Sequence, residues 1–399
     1  MAKIVFVNIP AHGHTNPTLA ITHALIGRGH EVVYYSGEEM RGLIERTGAD
    51  FRAYPEPMPT SKEVTDALNE LIDTTLLLIK ISEAHTAWFI EEMRREKPQV
   101  ILYDSTAMWG YVAARSLGIP HICSVSTFVL EGSQNHLPKG ALIRFMLQAI
   151  PKLPRIIRWK QLMVMKFGAA NVGGITEFSE CNLVYTSREF HPENNTLNER
   201  FRFVGPSLDS RHRSVTFPFQ TRGEGHLVYI SLGTILRPDA AFCHAVFSAF
   251  KDFPAQFVFS VGKQTEIVSL GTIPANFTVH NEVPQLEILE RAAAFITHGG
   301  MNSVHEGLVY GVPEIVVPHQ VEQLLNGLRV AQVGAGLLLG ERPPYGRVTA
   351  PQLRAALVRV LTEPTFKRQA VYFGETLKAA GGYQQAVKEI ERFLSSKLA

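Results

Sequence analysis

Ala294-Phe295-Ile296-Thr297-His298-Gly299-Gly300-Met301-Asn302-Ser303-Val304-His305-Glu306 joins an apolar strand to a histidine, two glycines and the start of a helix. That succession is the repeating unit of parallel sheets. At the turn, backbone N–H groups and the positive end of the helix dipole converge on one point, where an anion is held. The stretch therefore predicts a strand at 293–297, a helix at 302–310 and a phosphate site between them, with His298 and Ser303 adding side-chain donors. A second reading competes, because Ser303-Val304-His305-Glu306 has the spacing of a capping box, whose side chains only satisfy orphan N–H groups. The box explains neither the paired glycines nor His298.

The same alternation extends through the chain. In the first half, strands are expected at 3–9, 31–36, 99–103, 121–126 and 182–186, with Phe203-Val204-Gly205-Pro206 closing it. A loop at 10–16 and a helix at 17–28 follow the first strand. Residues 206–225 are polar and turn-rich, the composition of a linker. After it the pattern restarts, with strands at 226–231, 256–261, 276–280, 293–297 and 314–317 and helices at 238–250, 302–310 and 320–332. Helices at 349–361, 364–379 and 383–397 complete the chain. Continuous apolar strands alternating with helices predict an α/β protein of two doubly wound domains: residues 1–205, then 226–380, with 381–399 as a final helix. Functional loops then belong at the carboxyl ends of the strands, lining one crevice.

Composition narrows the function. A formal charge of +2, from 39 basic and 37 acidic residues, gives no basic excess for nucleic acid. Cys123, Cys181 and Cys243 lie far apart and at no metal-ligand spacing, which suits a reducing compartment. No apolar run approaches the roughly 18 residues of a membrane span, and the start reads as a buried strand rather than a secretion signal, so the expected location is the cytoplasm. The segment 132–176 has no acidic residue, while Lys139, Arg144, Lys152, Arg155, Arg158, Lys160 and Lys166 alternate with apolar runs. It fits amphipathic helices with solvated basic faces, a wall for an apolar ligand, or a surface for anionic lipid.

Other loops carry chemistry. Pro10-Ala11-His12-Gly13-His14-Thr15-Asn16-Pro17 follows the first strand and offers an imidazole able to take a proton near neutral pH; equally, it is a helix-opening loop with two exposed histidines. It has no Gly-x-Gly-x-x-Gly, which excludes a nicotinamide dehydrogenase. Asp104 follows the strand at 99–103. It orients a histidine if the two strands share a sheet, or caps the next helix. Leu232-Gly233-Thr234 is a small-residue turn suited to close approach of a phosphate. Glu322-Gln323 is apt for sugar hydroxyls, or is an ordinary first helical turn. No Asp-x-Asp or metal-ligand cluster occurs, so a leaving diphosphate would rely on the helix dipole and hydrogen-bond donors.

Together these motifs resemble the family 1 glycosyltransferases of the GT-B fold, and among them the bacterial macrolide-type enzymes. The resemblance spans nearly the whole chain. It rests on Gly13-His14-Thr15-Asn16-Pro17, Tyr103-Asp104, Ser231-Leu232-Gly233-Thr234, Val283-Pro284-Gln285, Thr297 to Ser303, and Glu322-Gln323. It implies two facing Rossmann-like domains with a cleft between them, the last helix crossing back onto the first domain. His14 is then the base that deprotonates the acceptor hydroxyl, in preference to His12, and Asp104 is its partner. Thr234, His298, Gly300, Asn302 and Ser303 hold the diphosphate, Glu306 the ribose, and Gln285 lies near ribose and base. Glu322 and Gln323 read the sugar. The reaction is a single inverting displacement without an essential metal or other cofactor, and UDP-glucose is the expected donor.

One position departs from the family. Many relatives have a tryptophan two residues before the Pro-Gln pair, and here it is Glu282. A carboxylate cannot stack on a base, so base recognition falls to the backbone of Val283 or to another side chain, and thymidine diphosphate sugars come into play. The acceptor is expected to be small and apolar, a macrolide, flavonoid or other phenol, in a pocket including Thr127 and Phe128 after the strand at 121–126. The segments 60–90 and 132–176 are expected to contribute to it. Two rivals share the fold: a nucleotide-sugar epimerase, which needs no acceptor pocket, and a non-catalytic auxiliary protein, which needs neither His14 nor Asp104.

Overall fold

The computed structural model describes residues 1–55, 59, 63, 67, 71–129, 143, 146–147, 149–167, 178–208, 217, 225–233, 240–263, 265–342 and 346–398. The chain forms two compact units, Met1–Leu208 with Ala380–Ala399, and Asp209–Ala379. Each is a Rossmann-like α/β domain built on a parallel sheet.

The sheet of the first unit has seven strands: β1 (Lys3–Val7), β2 (Glu31–Ser36), β3 (Asp50–Ala53), β4 (Val100–Asp104), β5 (His121–Val125), β6 (Asn182–Val184) and β7 (Phe201–Phe203). Their order is β3-β2-β1-β4-β5-β6-β7, and each neighbouring pair is parallel. The helices are α1 (His12–Gly27), α2 (Arg41–Glu45), α3 (Leu71–Glu96), α4 (Met108–Leu117) and α5 (Leu153–Phe167). Side chains of a strand alternate between its faces, and both faces here are covered. Val5 and Val7 of β1 pack with Phe89 of α3 and Trp109 of α4. Ile4 and Phe6 pack on the other side with Ile21 and Leu25 of α1. That two-sided burial is why β1 reads as an unbroken apolar run.

The second unit repeats the plan with β8 (His226–Ser231), β9 (Ala255–Ser260), β10 (Phe277–His280), β11 (Ala294–Thr297), β12 (Glu314–Val316) and β13 (Gly336–Leu338), in the order β10-β9-β8-β11-β12-β13. All its pairings are parallel. Its helices are α6 (Ala240–Phe250), α7 (Gln285–Leu289), α8 (Met301–Val309), α9 (Val321–Gln332), α10 (Ala350–Thr362) and α11 (Pro364–Ala379). Aromatic stacking stiffens one face: Phe257 lies between Phe250 and Phe277, with centroids 4.8 and 4.6 Å away. The last helix, α12 (Gly382–Leu398), belongs to the first unit. It buries Val387, Ile390 and Leu394 in the cluster that holds Ile21 and Leu25, about 1.5–3 kcal/mol per side chain. Arg28 pairs with Glu391 at 2.5 Å alongside them.

Some expectations need revision. α1 begins at His12, not at 17, so His14 stands in its first turn and Pro17 lies inside the helix. Asn8 holds this early start by donating from Nδ2 to the carbonyl of His14 at 3.0 Å, and Pro17 forfeits one helical hydrogen bond. The edge strands β3 (Asp50–Ala53) and β13 (Gly336–Leu338) were not expected. Of the polar linker, residues 209–216 and 218–224 lie outside the described residues, as do 132–142, 144–145, 148 and 168–176 of the acid-free segment. Among the described residues, no helix is long and apolar enough to cross a membrane.

Candidate active site

In the first unit three strand ends meet where the strand order reverses. Val7 of β1 is level with Tyr103 of β4, and Asp104 is level with Ser124 of β5. The residues just beyond therefore converge. His14 Nδ1 lies 2.7 Å from Asp104 Oδ2 and 2.9 Å from Ser126 Oγ. Asp104 is fully buried, whereas the His14 side chain is 15% exposed. An ionised carboxylate only accepts, so Nδ1 carries the hydrogen and the basic lone pair is on Nε2.

Asp104 does not cap a helix. α4 starts later, at Met108, with Ala107 as its N-cap. Asp104 Oδ1 instead accepts the Thr106 N–H at 2.8 Å and the Thr106 hydroxyl. Those bonds lock the carboxylate and aim Oδ2 at the imidazole. Behind it, Asn8 Nδ2 also meets Tyr34 Oη at 2.6 Å, and that oxygen is 2.6 Å from Thr18 Oγ1. Asn8 and Ser126 were not singled out as partners of His14 from sequence. The only sign of Asn8 is a polar residue ending an apolar strand. Thr127 is partly exposed, while Phe128 is buried against the rings of Phe190 and His191.

The second unit gathers its candidates at the equivalent reversal. Ser231 of β8 is level with Thr297 of β11, which sets the Gly233 turn against His298. Cβ atoms on Gly233 and Gly300 would stand 2.6 and 2.5 Å from the His298 ring, so only glycine lets the backbone close around it. Burial, with His319 nearby, pushes the His298 pKa down to about 4, and the ring is neutral at pH 7. Gly299 has φ +86, the left-handed region that favours glycine. Its N–H lies 3.3 Å from Thr297 Oγ1, and its carbonyl accepts from the buried Asn326 Nδ2 at 2.8 Å. Asn326 is a further residue that sequence reading missed. It shows only as a polar side chain on the buried face of α9. Thr234 lies outside the described residues.

α8 begins at Met301 with Gly300 as N-cap and no side-chain cap. Ser303 is therefore its third residue, not its cap, and the capping-box reading fails. Gln285 Nε2 donates to Glu306 Oε2 at 2.5 Å and lies 3.5 Å from Ser303 Oγ. Burial raises the Glu306 pKa to about 7, with the Gln285 hydrogen bond opposing. Asn302 and Val283 are partly exposed nearby in sequence. Glu282 is exposed and pairs with Lys263 at 3.1 Å. Glu322 is exposed at the start of α9. Gln323 is buried, and its Oε1 accepts the His319 N–H at 2.8 Å. Its Nε2 donates to Gln320 Oε1 at 3.3 Å.

Comparison with known proteins agrees with this layout. Residues 245–392 match the family described as erythromycin biosynthesis protein CIII-like, C-terminal domain. The chain is 33% identical to the NDP-glycosyltransferase YjiC of Bacillus licheniformis, over 98% of both chains. It is 30% identical to a demethyllactenocin mycarosyltransferase of Streptomyces fradiae, over 99% of this chain and 87% of that one. Among solved structures, the glycotransferase of kitacinnamycin superposes with a TM-score of 0.86 at 28% identity, covering 98% of this chain and 99% of that one. Matched along its whole length, with both sheets in GT-B order, the chain belongs to the GT-B glycosyltransferases of the bacterial macrolide and UDP-glucosyltransferase type.

Proposed function

We propose that this glycosyltransferase moves a hexose, glucose from UDP-glucose, onto a hydroxyl of a small apolar acceptor such as a macrolide, flavonoid or other phenol, with inversion and without a metal. The observation that carries the proposal is the 2.7 Å bond between His14 Nδ1 and Asp104 Oδ2. It leaves an oriented imidazole with its lone pair on Nε2, the arrangement of a general base.

In the proposed reaction, His14 Nε2 takes the acceptor proton as the hydroxyl oxygen bonds to the anomeric carbon. The bond from that carbon to the β-phosphate oxygen breaks, and the nucleoside diphosphate leaves with the electron pair. Asp104 stabilises the imidazolium that forms. The negative charge on the leaving group falls to the N-terminus of α8, the N–H groups around Gly300, and donors from Thr234, His298, Asn302 and Ser303. A neutral His298 acts there as a hydrogen-bond donor, not as a cation. Glu306 and Gln285 hold the ribose, the backbone of Val283 the base, and Glu322 with the Gln323 amide the sugar hydroxyls. The location consistent with this chemistry is the cytoplasm, where the buried thiols of Cys123, Cys181 and Cys243 stay reduced.

The test is a mass-spectrometric assay of purified protein with UDP-glucose, a panel of phenols and macrolides, and excess chelator. A product heavier by one hexose, formed at the same rate with chelator, is expected. Loss of activity on chelation removes the metal-free mechanism, and the absence of product across acceptors and nucleotide sugars removes the substrate assignment.

A further inference from the structure

Tyr229 occupies an interior strand, β8, between β9 and β11. It is 1% exposed, and its ring stacks on Phe295 at 4.9 Å with the planes 11° apart. The phenol therefore has almost no freedom to move. Its Oη donates to Gln285 Oε1 at 3.0 Å, while Gln285 Nε2 donates to Glu306. When ionised, Glu306 can only accept, which fixes which end of the amide faces it, and the oxygen then faces the phenol. Gln285 is at the start of α7, a helix of only five residues, and would otherwise be able to turn its amide over.

We propose that Tyr229 is a positioning residue for donor recognition: its buried hydroxyl locks the Gln285 amide, which in turn holds the Glu306 carboxylate ready for the ribose hydroxyls of a nucleoside diphosphate. This rests on the assignment of Gln285 and Glu306 to the ribose. The Tyr229 hydroxyl itself touches no substrate. It acts by preorganisation, sparing the ligand the cost of ordering two side chains.

Tyr229→Phe keeps the ring and its stacking and deletes only the hydroxyl. Calorimetric titrations of wild type and variant would use UDP, 2′,3′-dideoxyuridine diphosphate and inorganic pyrophosphate, beside a melting curve. Wild type should prefer UDP to the dideoxy ligand. The variant should lose about tenfold in UDP affinity, the scale of one net hydrogen bond, and most of that preference, with pyrophosphate affinity unchanged. In a Gln285→Ala background the same change at 229 should have no further effect on UDP. An unchanged UDP-to-dideoxy ratio in Tyr229→Phe overturns the role of Tyr229, as does an equal loss for all three ligands. Wild type that does not distinguish UDP from the dideoxy ligand overturns the ribose assignment beneath it, a separate outcome.

Discussion

His14 Nδ1, in the first turn of α1, stands 2.7 Å from Oδ2 of Asp104, the last residue of β4, across 90 positions of sequence. Parallel pairing of β1 with β4 brings them together. A proton gained at Nε2 is then stabilised by a carboxylate that is fully buried and held by Thr106 from its other oxygen. His14→Ala should lower kcat at least ~100-fold, the scale of a lost general base. Asp104→Asn should also lower kcat strongly, since an amide no longer enforces the tautomer. Steady-state rates with saturating donor check both, and a His14→Ala enzyme at wild-type rate would remove the base assignment.

Ser303 makes no cap, so its removal should not unseat α8. Ser303→Ala is expected to weaken UDP binding while stability stays within about 0.5 kcal/mol of wild type, the range of substitutions that touch no structural feature. Titration calorimetry and a urea melt on the same preparation give both quantities. A large stability loss with unchanged affinity would return Ser303 to a structural role.

Gly299 is held by conformation as well as space. Gly299→Ala puts a Cβ at φ +86 and 2.5 Å from Val316 Cγ1. Backbone strain alone should cost about 1–3 kcal/mol, and displacement of Val316 adds to it. Gly13→Ala is the contrast, because nothing lies within 4 Å of a Cβ there and α1 is helical at that point. That change should be neutral or stabilising by up to about 1 kcal/mol. Urea midpoints moving in the same direction for both would contradict the geometry.

The pH dependence of stability has a defined sign at His298. Its folded pKa, about 4, lies below the ordinary 6.5. Between those values the unfolded chain binds more protons than the folded one, so lowering the pH favours unfolding. This contribution is fully present above pH 6.5 and is lost as the pH falls towards 4. His298→Gln removes it, and the melting temperature of the variant should fall less steeply than wild type across that window. Parallel curves for the two proteins would show that the ring is not neutral in the fold. His305, held down to about 3 by burial alone, contributes in the same direction in both proteins.

The covered strands, the restart after residue 225 and the glycine pair before α8 are legible in the amino-acid order alone, because burial and turn geometry act on near neighbours in the chain. His14, Asp104, Ser303 and Glu306 could be named because their motifs resemble those of the family 1 glycosyltransferases. Whether Ser303 capped a helix depended on where α8 began, at 301 or three residues later, a choice made by packing and not by spacing. The second contact of His14 with Ser126, the hold of Asn8 and Asn326 on their loops, and the chain of hydrogen bonds from Tyr229 through Gln285 to Glu306 came only from the folded molecule. All but the Asn8 contact, which reaches along the loop to His14, join segments far apart in sequence that strand register brings together. Register is a collective outcome of whole sheets closing on their cores, and no local pattern records which polar atoms it will leave within 3 Å of each other.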